Sequence, residues 1–149
     1  MKLFKFSIAF LFTLSGLSAC APAGNDSFAT LDSEILDIHD EVMPKLEDLN
    51  HYAEEIRGRI ARLDSLQQEG VSSNTIAEQR LKASDLLARL QAADSLMWDW
   101  MRGYEADSAK ALADENEVLK YFEGEKKKIL EVKEQTESSI REAQSFLEN

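Results

Sequence analysis

The chain is poor in residues that end or cross-link structure. Its 149 residues include two prolines, six glycines and a single cysteine. So few turn formers leave little material for a β-rich fold. One cysteine excludes both an internal disulfide framework and cysteine-based zinc centres. Two histidines offer little for metal or proton-transfer chemistry. Positive charge is also scarce: 17 basic residues face 28 acidic ones, for a formal charge of −11, which argues against a nucleic-acid binder. What is abundant is apolar and charged together. Hydrophobic residues make up 44% of the chain, too many for a disordered acidic tail, and charged residues 30%, which suits long solvated helices. The length fits one domain with a real core.

The first twenty residues, MKLFKFSIAFLFTLSGLSAC, place Lys2 and Lys5 ahead of an apolar run from Phe6 to Leu14, followed by small side chains. This is the build of a cleaved secretory signal, because the apolar run falls well short of the roughly 20 residues of a membrane span. Its end, Leu17-Ser18-Ala19-Cys20, resembles the lipobox of bacterial lipoproteins. The resemblance implies cleavage after residue 19, diacylglycerol on the Cys20 sulfur and acylation of the new amino group. Two or more acyl chains anchor a protein stably without a spanning helix. Cleavage removes two lysines and no acid, so 15 basic residues face 28 acidic ones, a charge of −13. That charge opposes adsorption to anionic headgroups and leaves the lipid as the anchor. Residues 20–30 then read as the lipidated cysteine and a flexible tether, CAPAGNDSFAT, able to span roughly 30 Å. Ala21 is not the Asp of an inner-membrane retention signal, and no acidic run beside Cys20 resembles a surface-export tag. The expected address is the outer membrane, facing the periplasm.

From residue 31 to 149 the periodicity predicts an all-α fold, an elongated antiparallel three-helix bundle. Leu31, Ile35, Ile38, Val42, Leu46, Leu49, Tyr52, Ile56, Ile60, Leu63 and Leu66 recur at steps of three and four, a helical stripe over about 31–69. Thr30 is its expected N-cap. Pro44 removes one backbone donor and predicts a kink or break near Met43. A second helix, about 75–104, is expected to open on a capping box of Thr75 and Glu78 and carries the stripe Ile76, Ala83, Leu86, Leu90, Ala93, Met97, Trp100 and Tyr104. A third, about 109–147, has the seam Val118, Phe122, Glu125, Ile129, Val132, Thr136, Ser139, Ala143 and Phe146, a 3.5-residue repeat with three polar members. Polar seam positions also suit an extended coiled coil that oligomerises, the rival architecture.

Few residues combine into chemistry. His39, Asp40 and Glu41 fan out at about 100° per residue and converge on no common ion unless Pro44 breaks the helix. His51 shares a helix face with Glu47 and Glu55, a weak candidate for Zn²⁺. Neither a Gly-x-Ser-x-Gly elbow nor a phosphate-cradling glycine loop occurs, so a catalytic role is not expected and no catalytic residue is assigned. The only cofactor expected is the covalent lipid on Cys20. The densest local signal is Leu96-Met97-Trp98-Asp99-Trp100-Met101-Arg102-Gly103-Tyr104. Its apolar arc spans about 200°, too wide for one partner helix. Either this stretch is wedged between the other two helices, or Met97, Trp98, Trp100, Met101 and Tyr104 form an exposed patch of interface-prone side chains. The basic runs Arg57-Gly58-Arg59-Ile60-Ala61-Arg62 and Lys126-Lys127-Lys128 stand out in an acidic chain and are expected to pair with neighbouring carboxylates, or to meet an anionic envelope polymer.

HDEVMPKLEDL, LMWDWMRGY and KYFEGEKKKILEV together are similar to a group of small helical lipoproteins of Bacteroidota, sometimes labelled "viral A-type inclusion protein". The resemblance spans most of residues 31–147 and implies no activity or site residue. Three functional readings follow, the third being metal buffering through His51 with Glu47 and Glu55. The first is a non-enzymatic envelope lipoprotein acting as a structural or protein-interaction module, bound to the membrane through its lipid and to a protein partner in the envelope. The second is a periplasmic chaperone or stress-buffering protein that holds clients on an apolar face framed by acids.

Overall fold

The computed structural model describes residues 24–71 and 73–149. The expected signal peptide, Cys20 and the first residues of the expected tether lie outside that span. Five helices follow one another: α1 (Gly24–Val42), α2 (Lys45–Gln68), α3 (Asn74–Gly103), α4 (Ala106–Lys110) and α5 (Glu115–Leu147). Among the described residues there is no strand, and no helix is long and apolar enough to cross a membrane.

Helices α1 and α2 form one arm broken at Met43-Pro44. Pro44 cannot donate to the Asp40 carbonyl, and the chain crosses the gap with tighter bonds, Leu46 N–H to the Met43 carbonyl at 3.2 Å and Glu47 N–H to the Pro44 carbonyl at 3.3 Å. The arm ends in a Schellman turn. Gly70, at φ +84°, donates to the Gln67 carbonyl at 3.2 Å, and Val71 donates to the Leu66 carbonyl at 3.0 Å. At rises of 1.5 Å per residue, α3 and α5 are about 45 and 50 Å long, so each can run alongside the arm. Helix α2 packs on α3 and α5, and α1 packs chiefly on α5, so the cross-section holds three helices along the bundle.

Burial follows the predicted stripes. Every member of the α5 seam is buried, including Glu125, Thr136 and Ser139. On the arm, Ile35, Val42, Leu46, Leu49, Ile56 and Leu63 are buried; on α3, Ala83, Leu86, Leu90, Ala93, Met97 and Trp100 are. Leu66, at the end of the first stripe, is exposed because the arm stops two residues later.

Helix boundaries required three corrections. Helix α1 begins at Gly24, so much of the stretch expected as a tether is helical and Thr30 lies inside a helix instead of capping one. The reason is visible at Phe28, whose ring stacks on Phe122 of α5 at 6.2 Å and draws the segment onto the bundle. The second long helix is capped by Ser73, not by a box of Thr75 and Glu78. Ser73 has extended backbone and its hydroxyl accepts from the Ile76 N–H at 3.2 Å, which places the start one residue earlier. The third helix starts at Glu115, capped by the Asp114 carboxylate accepting from Asn116 N–H at 2.8 Å, and the residues ahead of it form the separate short helix α4.

Candidate functional site

The stretch Leu96–Tyr104 meets α1 through His39 and Asp32 and α5 through Tyr121, and its five singled-out side chains divide by burial. Met97 and Trp100 are buried, Met101 and Tyr104 are half-buried, and Trp98 alone is exposed, at 46%. A continuous exposed patch is therefore not formed. The arc is covered by neighbouring helices except at Trp98, which is the wedged arrangement with one edge left open.

Turned inward, these side chains join an aromatic ladder across three helices. His39 of α1 lies 5.7 Å from the Trp100 ring, and its Nε2 is 3.3 Å from the Met101 sulfur. Trp100 stacks on Tyr104 at 4.9 Å, Tyr104 on Tyr121 at 6.3 Å, and Tyr121 meets the face of Phe122 edge-on at 5.3 Å. Such pairs add to the stabilisation that burial alone supplies.

Polar groups lock the ladder's rim. The Tyr104 hydroxyl donates to one oxygen of Asp32, and Lys110 of α4 donates to the other at 2.6 Å. Burial pushes the Asp32 carboxyl up, but these two donors outweigh it and hold the group below its ordinary value. The Tyr104 phenol is pushed far above its ordinary range by burial and by the same carboxylate, so it remains a donor. Burial also raises the Tyr121 phenol, whose oxygen accepts from the Glu105 N–H at 2.6 Å. The carboxylate of Asp32 is 72 and 78 residues from its two partners, a constellation with no local signature.

Beside Trp100, α3 and α5 border a groove of about 280 Å³, lined by Leu96, Asp99, Trp100, Glu125, Lys128, Glu131 and Val132 among others. Glu125 is buried, yet its charge is matched by Lys128 at 2.7 Å, and that bond raises the lysine's affinity for its proton. The indole N–H of Trp100 is buried with no acceptor. The groove thus combines apolar side chains with the Glu125–Lys128 ion pair and the carboxylates of Asp99 and Glu131, a mixed lining suited to a side chain with an apolar body and a polar end. Trp98 does not line it.

The other candidates do not assemble. His51 Nε2 lies 3.9 Å from Glu55 on an exposed surface, Glu47 does not join them, and among the described residues no three His, Cys, Asp or Glu side chains form a metal-binding group. His39 bonds Asp40 at 2.9 Å, while Glu41 turns away to Lys133 at 2.6 Å and Lys45 at 3.5 Å. The lysine run is paired as expected: Lys126 with Glu34 at 2.7 Å, Lys128 with Glu125, and Lys127 with Glu131 at 4.0 Å. Arg57 pairs with Glu54 at 2.5 Å, whereas Arg59 and Arg62 of the same run pair with no carboxylate among the described residues. Comparison with protein families, curated proteins and solved structures finds no match to the chain.

Proposed function

We propose that the protein is a lipoprotein of the cell envelope, anchored through acylated Cys20 to the outer membrane and facing the periplasm, where its bundle serves as a non-enzymatic structural or protein-interaction module. One observation carries this reading: the lipobox Leu17-Ser18-Ala19-Cys20 ends only three residues before a helix that runs directly into the bundle. Four backbone steps span at most roughly 14 Å, so an acylated Cys20 would hold the α1 end close against the bilayer. The arm would then carry the opposite end about 60 Å away along its axis.

Two surfaces suit a partner. The groove beside Trp100 supplies apolar side chains edged by charged ones, and Trp98, which does not line it, supplies an exposed indole. Client holding has weaker support, since Met97 and Trp100 are spent in the core instead of lining an apolar face. The test is fractionation of cells producing the native chain or Cys20→Ser, combined with photo-crosslinking from position 98. The proposal expects the native protein in the outer-membrane fraction, release or retention of an unprocessed precursor on substitution, and one discrete crosslinked product. A native chain recovered as unmodified soluble protein would refute it.

A further inference from the structure

At the end of the bundle away from α1, one site brings together two cations that pair with no side-chain carboxylate among the described residues. Arg59 of α2 and Lys82 of α3 both lie over the ring of Phe146 of α5, their charged groups 5.8 and 5.6 Å from its centre. Together with Gln79, Ser145 and Asn149 they line a cavity of about 220 Å³. No side-chain carboxylate lines it. In a chain of charge −11 this is unusual, because among the described residues every other lysine and arginine except Arg62 and Lys120 pairs with a carboxylate. The Nε of Arg59 is buried and has no acceptor. Leaving a charged donor out of water and unpaired is costly, and an entering oxyanion would remove that cost.

We propose that this cavity binds a phosphate-type oxyanion, held by the Arg59 guanidinium and the Lys82 ammonium beside Phe146. A guanidinium presents a planar fork of donors and an ammonium a compact point charge, and the two together match a dianion better than a single carboxylate. The amide of Gln79 and the hydroxyl of Ser145 offer further neutral donors around the same space. Three helices separated widely in sequence each contribute, so the site exists only in the folded bundle. It is independent of the groove beside Trp100 and of the lipid anchor, and it leaves open whether the phosphate arrives free or on a lipid headgroup.

The test is calorimetric titration of the full chain in nonionic detergent with inorganic phosphate, with acetate at matched ionic strength, and, in a separate arm, with vesicles of phosphatidic acid in phosphatidylcholine. Arg59→Gln, Lys82→Gln and Lys120→Gln are compared, the last removing an unpaired lysine that does not line the cavity. The proposal expects saturable binding of phosphate, or of the phosphatidic acid vesicles if the headgroup is the source, with acetate weaker. It expects the dissociation constant to rise about tenfold or more in Arg59→Gln and in Lys82→Gln, and to be unchanged in Lys120→Gln. Amide shifts at Gln79 and Ser145 should track the binding. No saturable binding from either source, equal binding of acetate, or equal weakening in all three variants would overturn it.

Discussion

The two ends of the bundle treat charge in opposite ways. At the α1 end, Asp32 receives both a phenol from α3 and an ammonium from α4, and its neighbours Glu34 and Glu41 are paired to lysines of α5 at 2.7 and 2.6 Å. At the opposite end, Arg59 and Lys82 share an aromatic ring and pair with no side-chain carboxylate among the described residues. The first arrangement spends its polar groups on holding three helices in register. The second keeps them unspent, which is what a binding site requires and a purely structural end does not. The rings differ as well: Phe122 is wholly buried among aromatic partners, and the one lysine over it, Lys110, is itself paired to Asp32, whereas Phe146 is slightly open and lies under two cations without a side-chain carboxylate partner.

The largest effect should come from cutting the ladder. Phe122→Ala is expected to lower unfolding free energy by about 3–5 kcal/mol, and Phe146→Ala by distinctly less, because the latter ring borders a cavity that is already open. Urea denaturation of the two variants checks the order, and equal losses would erase the contrast between the ends.

Next in size is the lock on the ladder's rim. Asp32→Asn is expected to cost about 1–2 kcal/mol at neutral pH, since it exchanges a charge-assisted acceptor for a neutral one. The folded carboxyl titrates below its ordinary value, so its contribution is present above the unfolded pKa, about 3.9, and is lost as pH falls through the folded one. The stability difference between variant and native protein should therefore shrink below about pH 4. A difference that stays constant from pH 7 to pH 3 would show that Asp32 acts without its charge.

The smallest of the three concerns the capped start of α3 at the far end. Ser73→Ala removes the acceptor for the Ile76 N–H and should cost about 1 kcal/mol, while Thr75→Ala should cost a few tenths at most. Hydrogen exchange confined to the first turn of α3 reads this loss. The reverse order would restore Thr75 as the cap.

These residues also show what the sequence makes legible. A 3.5-residue repeat identifies all of the α5 seam, polar members included, because burial on a straight helix is a matter of angle alone. Pro44 marks the break in the arm for an equally local reason. Cap and boundary positions are harder. Ser73 and Thr75 are both good caps, and only the backbone turn after Gly70 decides between them. The start of α1 is hidden because small and polar residues around Gly24 read as a tether, although Phe28, the one aromatic there, is the residue that ties it down. The wedge around Trp100 could be framed from its 200° arc, but choosing between core and surface needs the positions of two other helices. Asp32 with Tyr104 and Lys110, and Arg59 with Lys82, have no local pattern at all, since each set meets only through tertiary packing.

The contrast between a tied end and an open end has functional meaning only if the tied end is the one held at the membrane. Intact-mass spectrometry of the native protein extracted from membranes tests this most directly. The account predicts a mature chain that begins at Cys20 and carries the added mass of a diacylglycerol and an amide-linked acyl chain. A mature chain that begins elsewhere, or a Cys20 that carries no lipid, would contradict it.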